Sequence, residues 1–143
     1  MWLYRLADRL RHRHRLKAGN PAHAWGRRGE DLAHRYLRAH GHTVVARNYR
    51  TRGGTAEVDL ISRDGETLVF VEVKTRGTDW FGAPEEAVDT EKRRRIIRGA
   101  DHYLVHTGAE DAQVRFDIVT VLFEAPERIE HIRDAFTRPG KHH

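Results

Sequence analysis

Two stretches of the chain carry apolar residues at the three- and four-residue spacing of an amphipathic helix. The first runs from Ala22 to His40, and Gly41 follows it at a position where helices commonly end. The second runs from Glu91 to His106. The two apolar stripes consist of Trp25, Leu32, Ala33, Tyr36, Leu37, Ile96, Ile97, Ala100, Tyr103 and Leu104. Each stretch is therefore predicted to be a helix that buries one side.

Five further segments have the β-branched, aromatic or alternating composition of strands. They are Thr43–Tyr49, Ala56–Arg63, Thr67–Lys74, Val114–Leu122 and Arg128–Phe136. Asp64-Gly65 separates the second segment from the third and is a common hairpin turn. The last segment is expected at an edge of the sheet, and a short helical turn is expected over Pro84–Val88. The order of the elements, αβββαββ, predicts an α/β domain.

The charged residues of the central hairpin are predicted to share one face. With Asp64-Gly65 as the turn, Asp59 faces Phe70 and Glu57 faces Glu72. Successive side chains of a strand alternate between faces, and directly paired residues share a face. The charged face then holds Glu57, Asp59, Ile61, Leu68, Phe70, Glu72 and Lys74. The opposite, apolar face holds Val58, Leu60, Val69, Val71 and Val73.

Asp59 and Glu72 are diagonal neighbours in this register, with backbones roughly 7–8 Å apart, so that their carboxylates can converge on one ion. Crowded carboxylates raise the pKa of at least one of them unless a cation is present. Lys74 supplies one positive charge, and oxygen ligands suit Mg²⁺ or Mn²⁺ as the other. Paired carboxylates, a metal ion and a lysine are also what phosphodiester hydrolysis requires. A solvated hairpin with a Glu72–Lys74 ion pair explains the same residues.

The positive charge of the chain is concentrated at its N-terminus. The formal net charge is +5, and residues 1–17 account for all of it, with six basic residues and one acidic residue. This arm includes Arg9, Arg11, Arg13 and Arg15 and has leucines at helical spacing. It fits a segment that follows a phosphate backbone, a helix on a membrane surface, or a helix that docks on its own domain.

Composition excludes several classes of protein. The 143 residues suit a single domain, which we expect over 21–137, after an arm and linker over 1–20 and before a disordered tail over 138–143. The absence of cysteine excludes disulfides, thiolate zinc sites and cysteine nucleophiles and fits a cytoplasmic protein. Apolar runs are too short for a transmembrane helix or a secretory signal. The chain has no P-loop, dinucleotide fingerprint or Ser-His-Asp arrangement.

A set of motifs over about residues 24–136 resembles the YraN family of small bacterial endonuclease-like proteins, within the PD-(D/E)XK nuclease superfamily. The pattern Asp59, Glu72, Val73, Lys74 resembles the superfamily core. The other matching segments are Gly26-x-x-Gly29-Glu30, Asn48-Tyr49-Arg50, Glu57 to Ile61, Phe70 to Arg76, Phe81-Gly82 and Arg115-Phe116-Asp117.

The resemblance implies a restriction-endonuclease-like αβββαβ core, with a mixed sheet flanked by helices, and metal-dependent cleavage of DNA, including branched or damaged DNA. Asp59 and Glu72 would bind Mg²⁺ or Mn²⁺ together with the backbone carbonyl of Val73. Lys74 would be the catalytic lysine, and Glu30 would complete the acidic cluster. A glutamate in the first turn of a helix, favoured by the helix dipole, is the other explanation of Glu30.

Further basic residues are candidates for contacts with nucleic acid. Arg76 follows the site, and Lys92, Arg93 and Arg94 lie on the second helix. An exposed strand end and a solvated helix face explain them as well. Trp80-Phe81 is a candidate for base stacking or for packing over the sheet. The alternative function is a non-catalytic nucleic-acid-binding or scaffolding module. As a small nuclease, the protein could act as a homodimer on two strands.

Overall fold

The computed structural model describes residues 21–77, 90–123 and 126–139, with side chains from Trp25 onward. The elements in chain order are α1 (Pro21–Ala39), β1 (Thr43–Arg50), β2 (Glu57–Asp64), β3 (Thr67–Arg76), α2 (Thr90–Thr107), β4 (Gln113–Leu122) and β5 (Arg128–Phe136). The predicted arm, the turn over 84–88, Trp80-Phe81 and most of the predicted tail lie outside the described residues.

The predicted α/β fold is confirmed. Each predicted helix and strand within the described residues is present, with ends displaced by no more than two residues. The five strands form one sheet in the order β1-β2-β3-β4-β5. Among the strands that the structure describes, only the β3–β4 pair is parallel, and α2 makes the crossover that a parallel pair needs. This is the αβββαβ core with one added edge strand, β5.

The helices cover opposite faces of the sheet. Between the sheet and α1, Leu37 packs with Leu60, Val71 and Val119. On the other face, Ile96 of α2 packs with Phe70 and Phe116 and other buried side chains. Because β3 is covered on both sides, its residues 68–72 are all buried. No helix within the described residues is long and apolar enough to cross a membrane.

The turn of the β2–β3 hairpin lies one residue later than predicted. Asp64 pairs with Thr67, so Gly65 and Glu66 form the turn. Gly65 has a φ of 62°, the left-handed conformation that a tight hairpin needs at its first loop residue. The predicted pairing of Asp59 with Phe70 is therefore wrong, because Ile61 takes that place. The register differs by two residues, so the side chains from Leu60 to the turn keep the predicted alternation of faces.

Beyond the pair formed by Leu60 and Val71, β2 and β3 are no longer paired. β2 stays paired with β1 as far as Glu57, while β3 stays paired with β4 as far as Arg76. We call this opening the strand fork. Asp59 is the first residue of β2 inside it.

Side-chain alternation also breaks at the strand fork. Val58 packs on the α2 side of the sheet and Leu60 on the α1 side, although a regular strand would place both on one face. The predicted apolar face that joined Val58 with Leu60 is therefore wrong. The β1 register places Asn48 opposite Asp59, and Asn48 has a φ of 51°. The left-handed residue accounts for the change of face, because it interrupts both strands of the pair at one point.

A buried ionic network holds the edge strand β5 against β4. Asp117 is fully buried and accepts two hydrogen bonds from the Arg115 guanidinium, at 2.9 and 3.0 Å. The amide of Asp134 donates to the same carboxylate at 3.0 Å, where the β4–β5 register shifts. His131 Nε2 lies 2.7 Å from its other oxygen. Burial raises the pKa of the Asp117 carboxyl, but these hydrogen bonds outweigh burial and hold it below its usual value.

We predict that Asp117→Ala destabilises the protein by about 3–5 kcal/mol, because it leaves the Arg115 guanidinium and the Asp134 amide without their buried partner. Chemical denaturation measures the change. The matched control is Glu130→Gln on β5, whose ion pair among the described residues is an exposed one with Arg128, and it should cost less than about 1 kcal/mol. Equal losses in the two variants would contradict the prediction.

Candidate active site at the strand fork

Asp59 bridges the strand fork. Its Oδ2 atom accepts a hydrogen bond of 2.9 Å from the amide of Val73, in place of the backbone bond that the separated strands no longer make. The carboxylate of β2 is thereby held against the backbone of β3. This hydrogen bond across the fork fixes the position of the Asp59 carboxylate, which therefore does not rotate freely.

Glu72 brings a second carboxyl group to the same place. Only 2% of the residue is exposed, and the amide of the next residue, Val73, holds the Asp59 carboxylate at 2.9 Å. Burial and the nearby Asp59 charge raise the pKa of Glu72 to about 8, although Lys74 and Lys92 act to lower it. The structure therefore brings together the two carboxylates that the sequence placed as diagonal neighbours.

Lys74 lies on the same side of β3 as Glu72. Its Nζ atom is 3.1 Å from Oε1 of Glu72, and 16% of its side chain is exposed. The ammonium can thus reach solvent at the mouth of the strand fork while it remains paired with a buried carboxylate.

Glu30 approaches the strand fork from α1. Asn48 Nδ2 donates to its Oε2 atom at 3.2 Å, and Arg47 lies 3.8 Å from the same atom. Burial and the charge of Asp59 raise the pKa of Glu30. Because α1 begins at Pro21 and has no acidic residue in its first turn, the explanation of Glu30 as a first-turn glutamate is wrong.

A glycine sets the distance between α1 and this part of the sheet. Gly29 is buried, and a Cβ atom there would overlap the hydroxyl of Thr75. The absence of a side chain lets α1 lie directly against β3 next to Lys74. That close approach positions the neighbouring Glu30 toward Asp59.

Sequence reasoning missed a set of ionic contacts at the outer end of β2. Glu57 accepts from Lys92 at 3.3 Å and lies 3.0 Å from Arg95 and 3.6 Å from Arg50. Gly99 permits this contact, since a Cβ atom there would meet the Val58 side chain at 2.8 Å. Glu57 thus connects α2 to the strand fork.

Lys92 is part of this contact and not of a solvated helix face. Its Nζ atom lies 3.3 Å from Glu57 Oε1 and 3.3 Å from Glu72 Oε1. Helical spacing predicts that Lys92 lies on the buried side of α2, because it stands four residues before the buried Ile96 and seven before the buried Gly99.

The other predicted nucleic-acid contacts differ in their local partners. The Arg93 guanidinium stacks 5.4 Å from the centre of the Phe136 ring, and Arg76 donates to the Thr75 carbonyl at 2.9 Å. Arg94 is 65% exposed and pairs with Glu91 on its own helix. Arg9, Arg11, Arg13 and Arg15 lie outside the described residues.

The donor set for a metal ion is small. Over residues 21–77, 90–123 and 126–139, no three His, Cys, Asp or Glu side chains are close enough to hold a metal ion. A cation at the strand fork would therefore rely on Asp59, Glu72 and a main-chain oxygen, for which Val73 is the candidate. These are hard oxygen donors of the kind that Mg²⁺ accepts, with water filling the remaining positions.

The buried Glu72 should make the metal-free protein less stable as the pH rises. Its pKa is about 8 in the folded protein and 4.5 for an ordinary solvated glutamate, so between these limits the folded state holds a proton that the unfolded chain has lost. The stability that this proton provides is full below 4.5 and is lost as the pH passes through about 8.

We predict that Glu72→Gln removes this loss, because the amide stays neutral. Denaturation in EDTA from about pH 5 to about pH 9 should show wild-type stability falling by a few kcal/mol relative to the variant. Glu130→Gln serves as the exposed control and should follow the wild-type curve. Parallel curves for wild type and Glu72→Gln would refute the prediction.

The chain is similar to known bacterial proteins over most of its length. Residues 29–121 match the model of a family described as "Uncharacterised protein family UPF0102". The chain is 54% identical over 134 residues to a UPF0102 protein of Solibacter usitatus, which covers 94% of this chain and 97% of that relative. It is 50% identical to a UPF0102 protein of Rhodococcus jostii, over 79% of this chain and 96% of the relative. A Geobacter sulfurreducens UPF0102 protein is 48% identical, over 78% and 87%. The chain therefore belongs to the uncharacterised protein family UPF0102.

Proposed function

We propose that the protein hydrolyses phosphodiester bonds of DNA with the help of a divalent metal ion. The observation that carries this proposal is the strand fork itself, where the Val73 amide holds the Asp59 carboxylate next to the buried Glu72 and Lys74 Nζ lies 3.1 Å from Glu72. The motif resemblance to the YraN family and the PD-(D/E)XK superfamily supports it, since these residues stand at the matching positions.

The chain's own residues suit that reaction. Asp59, Glu72 and the Val73 carbonyl would hold Mg²⁺ or Mn²⁺, which supplies Lewis acidity and an activated water when bound. The amide of Val73 fixes the Asp59 carboxylate, so one ligand is oriented in advance. Burial makes an unpaired Glu72 carboxylate costly, so the ionised form of this side chain requires a cation beside it.

Lys74 has a separate role in this proposal. Its partly exposed ammonium stands at the mouth of the fork, next to the carboxylates that would hold the metal. A fixed positive charge at this point stabilises the negative charge that develops on a phosphoryl group under attack. Lysine suits the task as a compact charge with three donors.

Affinity for DNA would come from exposed arginines near the fork and from the N-terminal arm. Arg50 and Arg98 belong to the same end of the fold as Glu57, with side chains 66% and 51% exposed. Such residues bind phosphates without regard to sequence. The arm adds the charge excess, since residues 1–17 hold the whole net charge of +5.

One observation favours the alternative of a non-catalytic nucleic-acid-binding module. Among the described residues, no three metal-ligating side chains lie close together. The fork therefore offers fewer side-chain ligands than a metal site built from three or more such residues. A cleavage assay separates the two functions, because both predict DNA binding and only the first predicts loss of intact substrate.

We predict Mg²⁺- or Mn²⁺-dependent cleavage of duplex or branched DNA that stops in EDTA. Asp59→Asn and Lys74→Ala should each lower the rate by about 100-fold or more while the fold is kept. Glu66→Gln, in the exposed hairpin turn at the other end of β2 and β3, is the matched control and should cleave like wild type. Cleavage that survives both site substitutions would assign the activity to something other than this site.

We also predict that deletion of residues 1–17 weakens DNA binding and flattens its dependence on salt. Each lysine or arginine that neutralises a phosphate adds to the salt slope, and this segment holds six of them. Fluorescence anisotropy with a labelled duplex over a salt series measures both quantities. Unchanged affinity and slope would remove the arm from the binding surface.

A further inference from the structure

Lys92 joins two carboxylates that belong to different strand positions. Its ammonium lies 3.3 Å from Oε1 of Glu57 and 3.3 Å from Oε1 of Glu72. Lys74 lies 3.1 Å from the same Glu72 oxygen. One buried carboxylate oxygen therefore faces two ammonium groups, one from its own strand and one from α2.

A divalent cation bound to Glu72 would meet both of these charges. Like charges within a few ångströms repel strongly where water is scarce, so the metal ion and the two ammonium groups cannot all share that oxygen without a large cost. A cation that binds Oε1 would therefore displace at least one ammonium, and a cation on Oε2 would lie close enough to be repelled by both.

Lys92 is better placed to move than Lys74. It reaches the carboxylate from α2 and has a second anionic partner in Glu57, to which it can remain bound. Arg95 and Arg50 also contact Glu57, so that carboxylate stays fixed while Lys92 adjusts. Lys74 has Glu72 as its ion-pair partner and stands two residues from it on one strand.

We propose that Lys92 is the resident counter-ion of the metal-free site and competes with the divalent cation for the Glu72 carboxylate. It then remains at the mouth of the fork through Glu57. The inference rests on the proposed function, because it takes the fork to be a metal site. Through Lys92, α2 would then directly affect how tightly the fork binds a divalent cation.

The test is isothermal titration of the full chain with Mn²⁺ and with Mg²⁺ at one alkaline pH. Lys92→Gln should bind each ion about tenfold more tightly than wild type, because a competing charge has been removed. Lys92→Arg keeps the charge and should stay within about threefold of wild type. Arg94→Gln removes an equal charge from an exposed position of the same helix and should change the affinity by less than about twofold.

A second readout follows the lysine itself. The chain has four lysines, so ¹³C-lysine labelling gives four Cε signals that Lys→Arg variants can assign. Addition of Mg²⁺ should move the Lys92 signal, and Asp59→Asn should abolish that movement together with metal binding.

The outcomes separate the two claims. Unchanged or weaker metal affinity in Lys92→Gln would overturn the counter-ion role while the metal site stands. Absence of binding in both wild type and Lys92→Gln would overturn the metal site and, with it, the competition. Binding in Lys92→Gln alone would support both, with Lys92 as a stronger competitor.

Discussion

The separation of β2 from β3 after the pair of Leu60 and Val71 is the constraint on which the candidate site depends. Paired strands would consume the Val73 amide in a backbone hydrogen bond. Because they part, that amide binds the Asp59 carboxylate at 2.9 Å. The opening also leaves room for Glu72 beside it. The acidic pair is therefore a product of the sheet's geometry and not of local sequence alone.

Electrostatics makes this arrangement costly in the absence of a cation. Glu72 is buried beside another carboxyl group, and its pKa rises to about 8 as a result. The lysines from β3 and α2 reduce that cost without removing it. Folded proteins seldom keep a buried acidic pair for stability, since apolar residues of similar volume pack as well. The cost is consistent with a site built to receive a positive ion.

Much of the fold could be predicted because it follows from periodicity. The apolar stripes fixed both helices, and the alternation of apolar residues identified β2 and β3 and kept Glu72 and Lys74 on one face. The predicted pairing of β2 with β3 is wrong because Gly65 can take either position of a two-residue turn. The predicted face of Val58 is wrong because left-handed Asn48 breaks the alternation of side chains between the two faces of the sheet. A left-handed backbone at an asparagine cannot be seen from the sequence. The contacts of Lys92 with Glu57 and Glu72 could not be predicted, because its charged neighbours favour a solvated helix face.

The central claim is that Asp59 and Glu72 hold one divalent ion between the separated strands. The most direct measurement is an anomalous difference map from crystals of the protein grown with Mn²⁺. We expect a single strong peak within coordination distance of both carboxylates and the Val73 carbonyl, and its loss in Asp59→Asn. A map without a peak at the fork, or with the same peak in that variant, would contradict the account.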